Sequence, residues 1–458
     1  MANPRRGGRA TEPSLSVQFL DARAFRTPAF LSVAAMNSIS VRDQIWPACA
    51  AWADGELTVA GLGVRGLAAE FGTPLYVLDA ADFRARCAAW VEAFPDGDVH
   101  YGGKAFLAPA VVGWLAELGL CLDVCSGGEL AVARVGGMPP ERVVFHGNNK
   151  SAAEIRQAVT WGVGCIVLDS RHELERVARA AAEAGTRQPV MVRVKPGVDA
   201  DTHVSWATGG ERTKFGLSMA SGEAAEAVRG VLAEPSLELI GLHSHIGSQI
   251  FGLDQFAEAA RRMVAFLRTL EQEHRTVIGR LDLGGGLGIP YLPGDRPAPT
   301  PADLADALRT VVPADIRVAV EPGRSIAGPG TIALYEVGTV KERFVAVDGG
   351  MSDNPRPATY GAVYTAALAS RHSDAPTEPM AIVGKHCESG DVLIEDIALP
   401  ADIAPGDLIA MPCSGAYQRS AASNYNLVTR PAVVAVEENA AHVIVRRETE
   451  EDLLRLYP

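Results

Sequence analysis

From about residue 74 to residue 325, short apolar runs alternate with amphipathic stretches, and this alternation limits the fold more than any other feature of the chain. Leu75–Leu78, Val99–Tyr101, Leu120–Val124, Val143–Phe145, Cys165–Leu168, Val190–Val194, Leu239–His245, Leu281–Leu283 and Ile316–Val320 read as strands: they are rich in Val, Ile and Leu and end at turn residues. Between them, 151–161, 171–186 and 254–274 carry the periodicity of helices. Repeated β–α units over roughly 250 residues predict an α/β protein built on a parallel (β/α)8, TIM-like barrel. Beyond about residue 330 the helical period fades. Strand-like runs at Leu408–Met411, Ala432–Val436 and His442–Val445 then recur between Gly, Pro and Asp turns. They predict a C-terminal β-rich domain, barrel-like or sandwich-like, over 326–458.

The 458 residues suit two domains, and 48% hydrophobic content is enough for a large core. A formal charge of −13 argues against a nucleic-acid partner, because phosphate backbones demand a basic surface. Acidic proteins still bind anions locally, so a phosphate cofactor stays open. Seven scattered cysteines with no CxxC pair predict a reduced, cytoplasmic protein, with Cys121 and Cys125 read as core thiols rather than metal ligands. Residues 1–35 are expected to be a disordered extension, with Met36 as an alternative start. Residues 36–73 are expected to pack with the β-rich domain, and 74–325 to form the barrel. No window approaches the roughly 18 apolar residues of a membrane span.

Active residues of such barrels sit just past the C-terminal ends of the strands. Lys104, in Tyr101-Gly102-Gly103-Lys104, stands there, although a lysine after a strand is more commonly a solvated surface residue. His243 and His245 end another strand, and their spacing would aim both into the barrel. They could be a zinc pair, but no third ligand lies at metal spacing; a neutral imidazole stacked on a flat cofactor, or a core histidine, fits as well. Gly284, Gly285 and Gly286 could bring backbone N–H groups against a phosphate or could be a plain tight turn; no P-loop Gly-Lys-Ser/Thr follows. Glu321 could face a pyridine nitrogen and Arg324 could clamp a carboxylate or phosphate, or the two could be a rim salt bridge. In the β-rich region Arg356, Tyr360, Cys387, Glu388 and Tyr417 stand out. Cys387 beside Glu388 suits a proton donor better than a redox pair. A lysine able to hold an aldehyde cofactor, a cysteine able to deliver a proton and glycine loops between them suggest pyridoxal-phosphate chemistry.

Taken in order, the runs are Tyr101-Gly-Gly-Lys104, Asp123-Val-Cys-Ser126-Gly-Gly-Glu129, His146-Gly-Asn-Asn-Lys150 and Gly241-Leu-His-Ser-His245-Ile-Gly-Ser248-Gln. Glu321-Pro-Gly-Arg324, Val347-Asp-Gly-Gly-Met-Ser-Asp-Asn354, His386-Cys387-Glu-Ser-Gly-Asp391 and Gly415-Ala-Tyr417 complete the set. Over about residues 55–455 this series resembles the diaminopimelate decarboxylase family, within the alanine-racemase-like class of pyridoxal-phosphate enzymes.

The resemblance implies decarboxylation of meso-2,6-diaminopimelate to L-lysine, the last step of lysine biosynthesis, with pyridoxal 5'-phosphate as cofactor and no metal. It further implies that Lys104 holds the cofactor, His245 stacks on its ring and Glu321 pairs with its nitrogen. Ser248, Gly284, Gly285, Gly286 and Tyr417 would hold the phosphate. Arg324, Arg356, Tyr360, Glu388 and Tyr417 would bind the substrate's far end, and Cys387 would protonate the α-carbon. A homodimer is implied, with Cys387 and Glu388 crossing to the other subunit's site.

Departures are local. Gly102 stands where relatives more often have alanine, and the connections before Arg317 and between Lys341 and Phe344 are short. Asn354-Pro355-Arg356-Pro357-Ala358-Thr359-Tyr360 is unusually proline-rich. That run keeps open an alternative, a relative recruited to another pathway and acting on a different, modified or tethered amino acid. Glu321 speaks against a racemase, where an arginine faces the ring nitrogen. The presence of both Lys104 and Cys387 speaks against a non-catalytic homologue.

Overall fold

The structure, a computed structural model, describes residues 45–198, 209–211 and 213–458. The expectations for residues 1–44 lie outside the described residues.

Eight parallel strands close on themselves: β1 (Asp98–Gly102), β2 (Cys121–Val124), β3 (Val143–Phe145), β4 (Cys165–Leu168), β5 (Gln188–Lys195), β6 (Leu237–His243), β7 (Arg280–Asp282) and β8 (Arg317–Val320). Each pairs with the next, and β8 returns to β1 through Ala319 opposite Asp98 and Val320 opposite Val99. At the base of that seam Arg317 grips Asp98 with two bonds, 2.7 and 2.8 Å long, and Arg280 reaches the same carboxylate at 2.9 Å. Short strands and serine caps set the loops. Ser126, Ser151 and Ser170 each begin the helix after β2, β3 and β4 by accepting a backbone N–H from the glutamate three residues on. Every strand therefore delivers its C-terminal end to one rim.

The strand expected at Leu75–Leu78 exists as Leu75–Asp79, but it does not belong to the barrel. It lies between β9 (Thr331–Lys341), to which it is antiparallel, and Ala432–Glu437, to which it is parallel. Nine apolar runs compete for eight barrel places, and local pattern cannot say which is surplus. β9 leaves the barrel's last loop and becomes the spine of the β-rich sheet. It also pairs with β10 (Phe344–Val347) and Leu408–Met411. The segment before residue 74 forms three short strands, and Leu57 N donates to Ala369 O of the β-rich region at 2.9 Å. Among the described residues no helix is long and apolar enough to cross a membrane.

Asp353 anchors the turn that leads from β10 to the Arg356 helix. Its carboxylate accepts from Tyr335 Oη at 2.8 Å and Gly350 N at 2.9 Å, while its carbonyl accepts from Tyr76 Oη at 2.5 Å. Burial outweighs these bonds and pushes the carboxyl from 3.8 up to about 7. The folded protein thus keeps a proton that the unfolded chain gives up. This contribution to stability is full below the unfolded value and is lost as pH rises through about 7. Asp353→Asn should flatten that loss. Between about pH 5 and about pH 8 the urea midpoint should fall less in the variant than in the wild type, and an equal fall would show that Asp353 titrates normally.

Candidate active site

One cavity of about 630 Å³ opens at the C-terminal rim of the barrel. Lys104, His245, Ser248, Gly284, Gly285, Gly286, Glu321, Arg324, Arg356, Tyr360 and Tyr417 all line it. The fold has brought together residues spread over more than 300 positions of sequence. Cys387 and Glu388 are not in its wall. Both are exposed, on the loop before Val392–Pro400.

Lys104 follows β1 and its side chain is open to the cavity. Gly102 N donates to Pro322 O at 3.0 Å, and a Cβ on Gly102 would meet only ordinary contacts, 3.7 Å at the nearest. The place where alanine is more usual thus tolerates either residue. β6 ends at His243, so His243 and His245 do not share a strand face. His243 is fully buried inside the barrel, whereas His245 lines the cavity. Gly285 N donates to His245 Nδ1 at 3.2 Å, which leaves the ring's proton on Nε2. Burial and the nearby Lys104 charge hold this imidazole neutral, well below the usual histidine range. The Gly284–Gly286 turn cannot carry side chains: a Cβ on Gly285 would lie 2.0 Å from Glu321 O, and one on Gly286 2.2 Å from Gly247 O. The glycines let the loops after β6, β7 and β8 interlock while their backbone faces the cavity.

Glu321, at the end of β8, stands over a buried polar cluster. His243 Nε2 lies 2.8 Å from its Oε1 and His146 Nε2 3.5 Å; the same His146 nitrogen is 3.2 Å from Asp123. Sequence spacing offered His243 and His245 no third ligand, and in space the donor atoms that gather within 4.8 Å are those of His146, His243 and Glu321, without His245. Burial, with Asp123 close by, raises the Glu321 carboxyl. Against burial, Glu321 and Asp123 draw His146 upward. Glu321 Oε1, though near His243, is off the donor's axis and has no hydrogen bond. A buried carboxylate oxygen without a donor, beside a neutral imidazole and below an open lysine, suits a flat ring that carries a protonated nitrogen.

The proline-rich run folds into the short helix Arg356–Tyr360, with Pro355 as N-cap and Pro357 in the first turn, where missing N–H groups cost nothing. It aims Arg356 inward, only 3% exposed, towards Arg324. Arg324 donates to Ser248 Oγ at 2.9 Å and lies 4.7 Å over the Tyr417 ring.

Sequence reasoning missed several residues. Asp123 and His146, which head two of the motifs but were given no role, and Arg193, which was not singled out, line the cavity from the ends of β2, β3 and β5; polar residues at strand C-termini were the available signal. Tyr291 and Tyr364 contact both arginines or one of them from loops without any pattern.

Residues 80–328 match the model of the pyridoxal-dependent decarboxylase pyridoxal-binding domain. The diaminopimelate decarboxylase of Mycobacterium tuberculosis is 53% identical over 424 residues, covering 88% of this chain and 95% of that protein. The chain belongs to the diaminopimelate decarboxylase family. The Bacillus subtilis member is 42% identical over 418 residues, with 88% and 95% covered. Among solved structures, the M. jannaschii diaminopimelate decarboxylase in complex with L-lysine superposes with a TM-score of 0.84 at 33% identity, covering 91% of this chain and 98% of that one. As a family member the chain is a pyridoxal-phosphate enzyme, and the cavity's residues fit that cofactor.

The His146 loop of this decarboxylase is tied down from below by Lys150. Its buried ammonium donates to Gly147 O at 2.8 Å, Val167 O at 2.6 Å and Glu173 Oε2 at 3.0 Å. Lys150→Met would strand the buried Glu173 charge, at a cost of about 3–5 kcal/mol. Urea denaturation should show that loss, and the double variant Lys150→Met/Glu173→Met should recover much of it. A single variant as stable as wild type would mean the pair is not buried.

Proposed function

We propose that this chain decarboxylates meso-2,6-diaminopimelate to L-lysine and CO2 with pyridoxal phosphate. The observation that carries the proposal is the single cavity where Lys104, His245 and Glu321 face two inward-pointing arginines, Arg324 and Arg356. The sequence relatives named above act on diaminopimelate, and the M. jannaschii relative binds L-lysine. The recruited-relative alternative rested on the prolines around Arg356, and the helix they begin leaves Arg356 in the cavity wall.

The bound cofactor supplies an electron sink for the pair left when CO2 departs. The chain's residues supply position and charge. Lys104 would hold the cofactor at its aldehyde carbon. Neutral His245 packs on the ring without competing for its nitrogen's proton. Glu321, set in low dielectric, would take that nitrogen's hydrogen bond. Ser248, the Gly284–Gly286 backbone and Tyr417 hold the phosphate.

Arg324, Arg356, Tyr360, Tyr417 and Glu388 bind the amino-acid group that does not react, so remote binding energy aligns the bond to be broken. Cys387 delivers a proton to the carbon that lost CO2. In this reading Cys387 and Glu388 serve the site of a second copy in a homodimer, and their exposure outside their own chain's cavity supports it. All seven cysteines are free thiols, in keeping with a reducing cytoplasm.

Purified protein should release lysine and CO2 from meso-diaminopimelate only when pyridoxal phosphate is present. Cofactor-loaded protein without turnover would point to a different amino-acid substrate. Lys104→Ala should abolish the absorbance band of lysine-bound cofactor, whereas Cys387→Ala should keep the band and lose roughly 10²–10⁴ in kcat. Mixing Lys104→Ala with Cys387→Ala subunits should restore part of the activity if the site is shared. No restoration would place each Cys387 in its own chain's site.

A further inference from the structure

Arg324 comes from the barrel, just past β8, and Arg356 from the β-rich domain, yet one phenol joins them. Arg324 Nη1 donates to Tyr291 Oη at 2.7 Å, and Arg356 Nη1 donates to the same oxygen at 2.9 Å. The two nitrogens are therefore no further apart than the sum of those bonds. Arg356 also donates to Tyr364 Oη and lies 5.0 Å from the Tyr291 ring centre. The two tyrosine rings meet edge to face at 5.2 Å and 83°. Burial pushes the Tyr364 hydroxyl up to about 12, against the pull of Arg356, so it stays a neutral phenol.

Tyr291 Oη is the acceptor that these guanidiniums share, and Tyr364 Oη is a second one for Arg356. Two buried like charges, 6% and 3% exposed, would separate if nothing held them. A shared phenolic oxygen can hold them together, since it accepts one bond from each. The mount of Tyr291 is rigid. Gln249 brackets Ile289 with bonds to both its carbonyl and its N–H, Cys413 Sγ donates to Pro290 O, and Asp295 accepts from Tyr291 N. Tyr291 itself is not in the cavity wall and so acts only through the arginines.

We propose that Tyr291 is a positioning residue that sets the spacing of Arg324 and Arg356, so that both meet the one carboxylate at the substrate's non-reacting end. The proposal rests on the role given to these arginines above and names what registers them across the domain boundary. Recognition of that carboxylate then depends on a residue that never touches it.

L-Lysine retains the non-reacting amino-carboxylate, and 1,5-diaminopentane has the same chain without the carboxylate. Binding of both to the cofactor-loaded enzyme, measured as inhibition, separates the roles. Tyr291→Phe keeps the ring and removes the oxygen. L-Lysine should bind about tenfold or more weaker and KM for diaminopimelate should rise in step. kcat and the affinity for 1,5-diaminopentane should stay within about twofold, and so should the cofactor's absorbance.

Tyr364→Phe removes one Arg356 bond but leaves the bridge, and should weaken L-lysine less than about threefold. Equal loss for both ligands in Tyr291→Phe would make Tyr291 merely structural and overturn the proposal. So would no loss for L-lysine, or as large a loss in Tyr364→Phe. If wild-type enzyme does not prefer L-lysine to 1,5-diaminopentane, the arginines do not read that carboxylate, and the underlying assignment fails with the proposal.

Discussion

Closure of the parallel ladder between β8 and β1 is the constraint on which the rest depends. It joins residues more than 200 positions apart through Ala319–Asp98 and Val320–Val99, with the Arg317–Asp98 pair fastening the base. Once that seam forms, the loop after β1 and the loop after β8 must be neighbours at the rim, and Gly102 N reaches Pro322 O. Lys104 and Glu321 share a cavity for that reason alone. Parallel strands impose it, because every C-terminal end emerges on the same face.

The barrel interior is usually filled by branched apolar side chains. Here a polar column runs up its axis beneath the cavity. Arg280 lies 3.0 Å from His100, His100 3.1 Å from Asp123, and Asp123 3.2 Å from His146, which adjoins Glu321. Burial alone would discharge such groups, and only mutual pairing lets them stay. Although burial opposes it, Asp123 draws His100 towards its charged form. Arg280, however, has only protons to offer, so His100 Nε2 keeps its lone pair and the ring's proton sits on Nδ1, facing Asp123. His100 is then a neutral donor, Asp123 stays ionised, and its charge reaches the Glu321 site by way of His146. Under the proposed function, the carboxylate assigned to the cofactor's nitrogen is thus tuned from residues well below the cavity floor.

The residues proposed to select the substrate stand where the barrel meets the β-rich sheet. β9 leaves the barrel directly into the β-rich sheet, and Asp353 and Tyr335 fix the turn that carries Arg356 back to the rim. Tyr291 completes that return from the barrel side. In the proposed function the barrel supplies the chemistry, and the β-rich region, through Arg356, Tyr360 and Tyr417, supplies much of the surface that would read the substrate.

The sequence by itself determined the barrel, the β-rich region, the cofactor class and most of the cavity wall. The fold follows from periodicity, and the cofactor class and cavity wall from short motifs together with the family resemblance that those motifs carry. It could not decide that Leu75–Asp79 leaves the barrel for the other sheet, because an apolar strand carries no mark of its neighbour. Spacing alone could not separate His243 from His245, because the strand's last hydrogen bond decides where alternation stops. Nor could it find Tyr291, which lies in a patternless loop and gains its role only when two distant arginines arrive at the same oxygen. Such a meeting is a property of the closed fold, since nothing short of tertiary packing brings like charges from two domains to one acceptor.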